Sequence, residues 1–126
     1  MEFLHKELTD QILKVFYKVY NELGYGFLEK VYQNAMYLEL KSQGFEVDAQ
    51  KQIKVYYNSE IVGDFFADLI INDLVILELK ACEMLVKVHS AQTLNYLKAT
   101  NIEIALLLNF GEKPEIKRFI FTNNRK

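Results

Sequence analysis

Residues that cross-link or interrupt a fold are scarce in this sequence. It has one cysteine, Cys82, and one proline among 126 residues. A single cysteine excludes an internal disulfide and any metal cluster built from cysteines, and it fits a reducing cytoplasm. The two histidines lie far apart in the sequence, which argues against a zinc site as well.

Long apolar runs and a strong net charge are absent too. No stretch approaches the roughly 20 consecutive apolar residues of a membrane-spanning helix, so we expect no membrane partner. The formal net charge of −2 argues against a protein that coats nucleic acid by electrostatics alone, although it allows acidic residues that bind cations. A chain of 126 residues has room for one core, so we predict a single domain over residues 1–126.

The first half of the chain changes from a helical to an extended period. Spacings of three and four predict a helix at about residues 7–23, with Thr9 as its N-cap, and a second helix at about residues 27–43. A period of two then predicts a strand that bends near residues 50–52. The second helix is expected to bury Leu28, Val31, Ala35 and Leu38, and one side of the strand should carry Phe45, Val47, Ala49, Ile53, Val55 and Tyr57.

The second half predicts a mixed β-sheet. Two strands at residues 63–80 are followed by a helix at about residues 86–99, a nearly all-apolar strand at 102–110 and a last strand at 116–121. The helix is a crossover, so the strands before and after it should be parallel. The predicted fold is therefore α/β, a mixed sheet flanked by helices with the element order ααβββαββ.

Three charges interrupt the apolar strands of the central hairpin, residues 63–80. Asp68 lies in the first strand, and Glu78 and Lys80 lie in the second. Burying an ionised group costs several kcal/mol, so charges in a sheet require a reason, and a bound metal ion would be one. Side chains alternate along a strand, so Glu78 and Lys80 share a face if the strand is regular.

The length of the turn decides whether Asp68 joins that face. A two-residue loop of Asn72 and Asp73 would place Asp68 opposite Leu77, facing away from Glu78. A three-residue loop, residues 72–74, pairs Asp68 with Glu78, with their β-carbons about 5 Å apart. Because Asn and Asp tolerate the left-handed conformation that such loops need, we predict the three-residue turn.

The pattern of Asp68 followed by Glu78-Leu79-Lys80 and then a helix resembles the core of the PD-(D/E)XK nuclease superfamily, although Ala67 replaces the proline that names the motif. The resemblance implies a restriction-endonuclease-like fold. It implies that Asp68 and Glu78 hold Mg²⁺ or Mn²⁺, with the backbone carbonyl of Leu79 as a further ligand. It also implies that Lys80 positions or deprotonates the attacking water.

Two further motifs extend the resemblance. Gln92 and Tyr96 match the Gln-x-x-x-Tyr element of the RecB-like and Cas4-like branch, and four residues apart on a helix is one face. Gly26, Glu29 and Tyr32 match the signature of the GxxExxY protein family of the same superfamily. There the glutamate corresponds to the acidic residue that a helix contributes to the metal site, so Glu29 joins the expected ligands.

The resemblance implies a metal-dependent nuclease whose partner is nucleic acid, with DNA preferred over RNA as the expectation. Each residue also has a simpler interpretation, since Glu29 could favour the helix dipole and Glu78 could form an ordinary ion pair with Lys80. A catalytically silent nucleic-acid-binding module on the same fold is one alternative. Another is an interaction domain whose apolar surface forms a homodimer, because 13% of the residues are aromatic.

Overall fold

A computed structural model of the protein describes residues 4–126 and has an α/β fold. These residues form three α-helices and one five-stranded mixed sheet. The elements in chain order are α1 Lys6–Leu23, α2 Glu29–Ser42, β1 Val47–Tyr57, β2 Glu60–Ile71, β3 Val75–Lys80, α3 Lys87–Lys98, β4 Ile104–Phe110 and β5 Pro114–Ile120, with a short 3₁₀ turn at Asn123–Arg125. The predicted element order is confirmed. No helix within residues 4–126 is long and apolar enough to cross a membrane.

The strands lie side by side in the order of the chain. β3 and β4 are parallel, as the crossover through α3 predicted, and every other neighbouring pair is antiparallel. In the β2–β3 hairpin, Leu69 pairs with Leu77 and Ile71 with Val75, which confirms the three-residue turn. Asn72 and Asp73 both adopt the left-handed conformation that this turn requires.

Two apolar cores lie on opposite faces of the sheet. On β3, Val75, Leu77 and Leu79 pack into the core under α1 and α2, while Ile76 packs into the core under α3. All seven residues of β4 are buried, which confirms that this strand is covered on both faces. The α3 face is therefore also the face of Glu78 and Lys80, since side chains alternate.

The first two helices differ from the prediction in how they begin and in what they bury. Thr9 is not the N-cap of α1, because it lies inside the first turn and donates a hydrogen bond to the carbonyl of Lys6. The predicted buried face of α2 is also wrong: Leu28 is 82%, Leu38 67% and Val31 38% exposed, and Ala35 is only partly buried. The helix instead buries Tyr32, Gln33, Met36 and Leu40.

The prediction that one side of β1 carries all its apolar residues is wrong as well. Val47 packs in the core under α1 and α2, whereas Ile53 packs in the core under α3. The alternation breaks at Gln50, whose φ of 54° is left-handed and which has no ladder partner between Ala49 and Lys51. A bend was predicted here, but its effect is to rotate the rest of β1 to the other face together with the paired part of β2, since Leu69 packs under α1 and α2 whereas Ala67 packs under α3.

Candidate active site

Strands β2 and β3 separate beyond the pair Leu69 and Leu77, and two carboxylates take over the hydrogen bonds there. The backbone N–H of Asp68 donates to Oε2 of Glu78 at 2.9 Å, and the N–H of Leu79 donates to Oδ2 of Asp68 at 2.8 Å. The two side chains thereby satisfy backbone groups that a continuing ladder would have paired. This reciprocal exchange fixes both carboxyl groups at the point where the strands part.

Burial makes this pair electrostatically unfavourable. Burial raises the pKa of Glu78 to about 8, and the negative charge of Asp68 adds to the effect. Burial also raises the pKa of Asp68, against the lowering effects of the Leu79 hydrogen bond and of the Lys80 charge. At neutral pH, Glu78 therefore keeps its proton unless a cation compensates its charge.

Lys80 lies close to both carboxyl groups but is not paired with either of them. Its positive charge lowers the pKa of Glu78 and of Asp68. Within residues 4–126, the structure contains no ion pair between Lys80 and Glu78, so the simpler interpretation of these residues as a salt bridge does not apply. The ammonium group belongs to a half-buried residue.

Glu29 approaches the carboxylate pair from α2, of which it is the first residue. Its negative charge raises the pKa of both Asp68 and Glu78, while its own side chain remains exposed. The position of Glu29 depends on where the helix begins. Tyr32 controls that point, because its hydroxyl donates to the carbonyl of Gly24 at 2.7 Å and accepts from the N–H of Phe27 at 3.2 Å.

Tyr32 thus ties the glycine-containing loop to the core. Its ring is fully buried and stacks on Phe110, with the ring centroids 4.2 Å apart. Gly26, at φ 108°, takes a conformation that other residues rarely adopt. Each residue of the Gly-x-x-Glu-x-x-Tyr motif therefore has a structural role. Gly26 allows the turn, Glu29 places an acidic side chain at the helix start, and Tyr32 anchors both.

We expect Tyr32→Phe to loosen this loop without disturbing the ring packing. The substitution removes both hydrogen bonds of the hydroxyl, so the free energy of unfolding should fall by about 1–2 kcal/mol. Amide exchange at Phe27 should also accelerate. Thermal melts and hydrogen exchange would measure these effects. Tyr25→Phe is the matched control, because Tyr25 lies in the same loop, is 58% exposed and forms no hydrogen bond through its hydroxyl within the described residues. Equal melting of the two variants would contradict an anchoring role.

Gln33 and Gln50 join the site although the sequence analysis did not assign them to it. Gln33 is one turn after Glu29 and only 6% exposed. Its Oε1 accepts a hydrogen bond from Nε2 of Gln50 at 2.8 Å, and the same Nε2 lies 3.4 Å from Oδ1 of Asp68. The spacing of four residues from Glu29 was an available signal for Gln33. The left-handed Gln50 gave no such signal.

Helix α3 brings Gln92 and Tyr96 to the other side of the carboxylates. Nε2 of Gln92 donates to the Tyr96 hydroxyl at 3.1 Å. Burial raises the pKa of Tyr96, and the negative charges of Glu78 and Asp68 raise it further, so the phenol lies near both acids. All six candidate residues are thus brought into one neighbourhood: Glu29, Asp68, Glu78, Lys80, Gln92 and Tyr96.

The donor set is chemically suited to a hard divalent cation. Asp68 and Glu78 each use one oxygen for a backbone N–H, and Oε1 of Glu78 accepts no hydrogen bond from residues 4–126. Carboxylate and carbonyl oxygens are the ligands that Mg²⁺ prefers, and Mg²⁺ keeps several waters. In the described part of the chain, no three His, Cys, Asp or Glu side chains form a group that could hold an ion. Glu29, which was predicted as a further ligand, therefore does not form such a group with Asp68 and Glu78, and the fitting donors are these two carboxylates and a backbone carbonyl such as that of Leu79.

Comparison with known proteins identifies the family. Residues 6–119 match the family model of the PD-(D/E)XK nuclease superfamily, which covers most of the chain. The protein belongs to this superfamily, whose members generally are metal-dependent nucleases that act on nucleic acid. No curated protein matches the chain, and no solved structure matches it either.

Proposed function

We propose that this protein is a Mg²⁺- or Mn²⁺-dependent nuclease that hydrolyses phosphodiester bonds of DNA or RNA. The observation that carries the proposal is the exchange of backbone hydrogen bonds between Asp68 and Glu78 where β2 and β3 part, with Lys80 beside it. We further propose membership of the GxxExxY family in the Cas4-like branch, from Gly26, Glu29 and Tyr32 together with the helical pair of Gln92 and Tyr96.

The chain's residues would divide the work of hydrolysis. The oxygen of a water molecule attacks phosphorus and releases a proton to the solvent, while the bond from phosphorus to the leaving sugar oxygen breaks and that oxygen takes up a proton. The cation, when bound, supplies charge neutralisation at the phosphate and a more acidic water. Asp68, Glu78 and the carbonyl of Leu79 would hold it. Lys80 would stabilise negative charge on the attacking oxygen or on the phosphorane.

Three residues would assist from outside this group. Glu29, exposed at the start of α2, would hold a water molecule on the side of the site that faces the solvent. Gln92 and Tyr96, which are hydrogen-bonded to one another, would orient Lys80 or a phosphate group. We also propose that the chain acts as one domain in the cytoplasm, where Cys82 would stay reduced.

The direct test incubates the protein with labelled DNA and RNA, each as single strands and as duplexes. We expect cleavage with Mg²⁺ or Mn²⁺ and none with chelator. The physical reason is the raised pKa of Glu78, about 8, which means that this buried carboxyl group needs a cation to ionise near neutral pH. Binding without cleavage under any metal would instead support the catalytically silent nucleic-acid-binding module, and gel filtration would report a homodimer. No cleavage and no binding would reject the proposal.

A further inference from the structure

A cleft of about 800 Å³ lies between the outer part of the β1–β2 hairpin and helix α3. Its wall includes Tyr56 and Phe65 from the hairpin, together with Asn95 from the helix. Lys54 and Lys98 also line it, and no acidic residue does. The cleft is thus aromatic and positively charged in a protein with a formal net charge of −2.

The cleft shares two residues with the candidate active site. Gln92 and Tyr96 line the cleft, and the same Tyr96 hydroxyl lies near Glu78 and Asp68. The ring of Phe65 packs against the ring of Tyr96, with the centroids 5.9 Å apart. A polymer seated in the cleft would therefore contact Gln92 and Tyr96 of the candidate site.

The residues that line the cleft indicate which kind of molecule it would bind. Tyr56 is 59% exposed and Phe65 is 42% exposed, so flat apolar surfaces face solvent beside two lysines. Neither Lys54 nor Lys98 forms an ion pair within residues 4–126, and the ammonium of Lys98 lies 5.7 Å from the ring centroid of Phe121. Aromatic rings beside cations that have no carboxylate partner are the combination that binds unpaired bases and their phosphates. A duplex cannot use the rings, because its bases are already stacked on one another.

We propose that this cleft binds a single-stranded segment of nucleic acid, and this inference rests on the proposed nuclease function. Unpaired bases stack on Tyr56 and Phe65, and phosphates face Lys54 and Lys98. The strand then passes Gln92 and Tyr96 on its way to the carboxylates. The substrate class is a single strand or the unpaired end of a duplex, and a DNA arm and an RNA arm of the test distinguish the source.

The hairpin supplies a matched control for this proposal. Phe66 is adjacent to Phe65, is 50% exposed and does not line the cleft, since neighbouring residues of a strand point to opposite faces. Fluorescence anisotropy in chelator, without cleavage, would compare labelled 12-nucleotide DNA and RNA single strands with the corresponding DNA duplex. We expect tighter binding of the single strands, a rise in Kd of roughly tenfold for Phe65→Ala and for Tyr56→Ala, and no change for Phe66→Ala.

Phe65→Ala also removes the ring contact with Tyr96, so weaker binding by that variant could result from a change in packing. A lysine variant tests the proposal without altering this contact. Lys98→Gln should weaken single-strand binding and reduce the dependence of log Kd on log salt concentration by about one. Equal affinities of Phe65→Ala and Phe66→Ala, or tighter binding of the duplex, would overturn the proposal. So would a dimer in sedimentation velocity that Phe65→Ala dissociates without changing oligonucleotide affinity, because the cleft would then be a protein interface. The binding assay needs no catalysis, so its outcome is separate from that of the cleavage assay.

Discussion

Replacing Glu78 with Gln is expected to abolish cleavage and at the same time stabilise the metal-free protein. Glutamine keeps an oxygen that can accept from the N–H of Asp68, but it carries no charge in a buried position. At pH 8.5, removing the charge should raise the free energy of unfolding by on the order of 2 kcal/mol, which is several degrees in melting temperature. Thermal melts and the cleavage assay measure the two effects.

The pH dependence of the free energy of unfolding tests independently whether the charge of Glu78 destabilises the folded protein. In the unfolded chain Glu78 ionises near its ordinary pKa of 4.5, whereas in the folded protein its pKa is raised to about 8. Between these values the unfolded state releases a proton that the folded state retains, so the stability of the native protein should fall as pH rises from 4.5 to 8. In Glu78→Gln this part of the slope should disappear.

The response to metal completes the first prediction. A cation that binds only the folded site should add about 2.7 kcal/mol at a hundredfold excess over its dissociation constant. Glu78→Gln should lose most of that gain. Glu115→Gln is a suitable control, because Glu115 also accepts from a backbone N–H, that of Leu85, but lies outside the candidate site. A destabilised Glu78→Gln protein, with no metal response in either protein, would indicate a purely structural role for Glu78.

Replacing Lys80 with Met should separate binding of the cation from hydrolysis. Lys80 is proposed to stabilise charge that develops in the transition state, so cleavage should fall by about 10²–10³-fold. The melting response to Mn²⁺ should persist or increase, because a positive charge beside Asp68 and Glu78 has been removed. Single-turnover cleavage and thermal melts with and without Mn²⁺ measure these quantities.

Lys14→Met serves as the control for the lysine substitution. Lys14 is exposed on α1, which lies on the opposite side of the sheet from α3. Its substitution should leave both the cleavage rate and the melting response to Mn²⁺ unchanged. Full cleavage by Lys80→Met would remove Lys80 from the proposed chemistry. A variant that loses cleavage together with the metal response would show that Lys80 helps to form the cation site.

The β2–β3 hairpin shows what the sequence could predict about this site. Asn72 and Asp73 specify a left-handed turn, the turn sets the register, and the register brings Asp68 to Glu78. Local chemistry therefore determined the long-range contact. The burial of Leu28 and Leu38 could not be judged in the same way, because several faces of α2 carry apolar residues, and only the packing partners decide which one is buried.

Gln50 shows the opposite limit. A left-handed glutamine inside a strand has no sequence signal of its own, since Gln is not a residue that favours this conformation. Its conformation is maintained by the surrounding contacts, including the hydrogen bond to the buried Gln33. Gln33 differs in this respect, because its spacing of four residues from Glu29 did indicate the shared helix face, and only its partner Gln50 could not be anticipated.

The β1–β2 ladder is interrupted at Gln50 and Asp68, and this interruption divides the β1–β2 hairpin into two parts. Residues 69–71 of β2 pair with β3 as well as with β1. In the described chain, residues 60–67 pair only with β1. The outer part is a two-stranded ribbon that ends at the Asn58–Ser59 turn and exposes Ile61 and Val62. Insertions or exchanges at the exposed tip of this ribbon would leave the buried Ile53 and Ala67 and the carboxylates in place. Under the proposed function, the tip of the ribbon could therefore vary in sequence and length during evolution while the carboxylates stay the same.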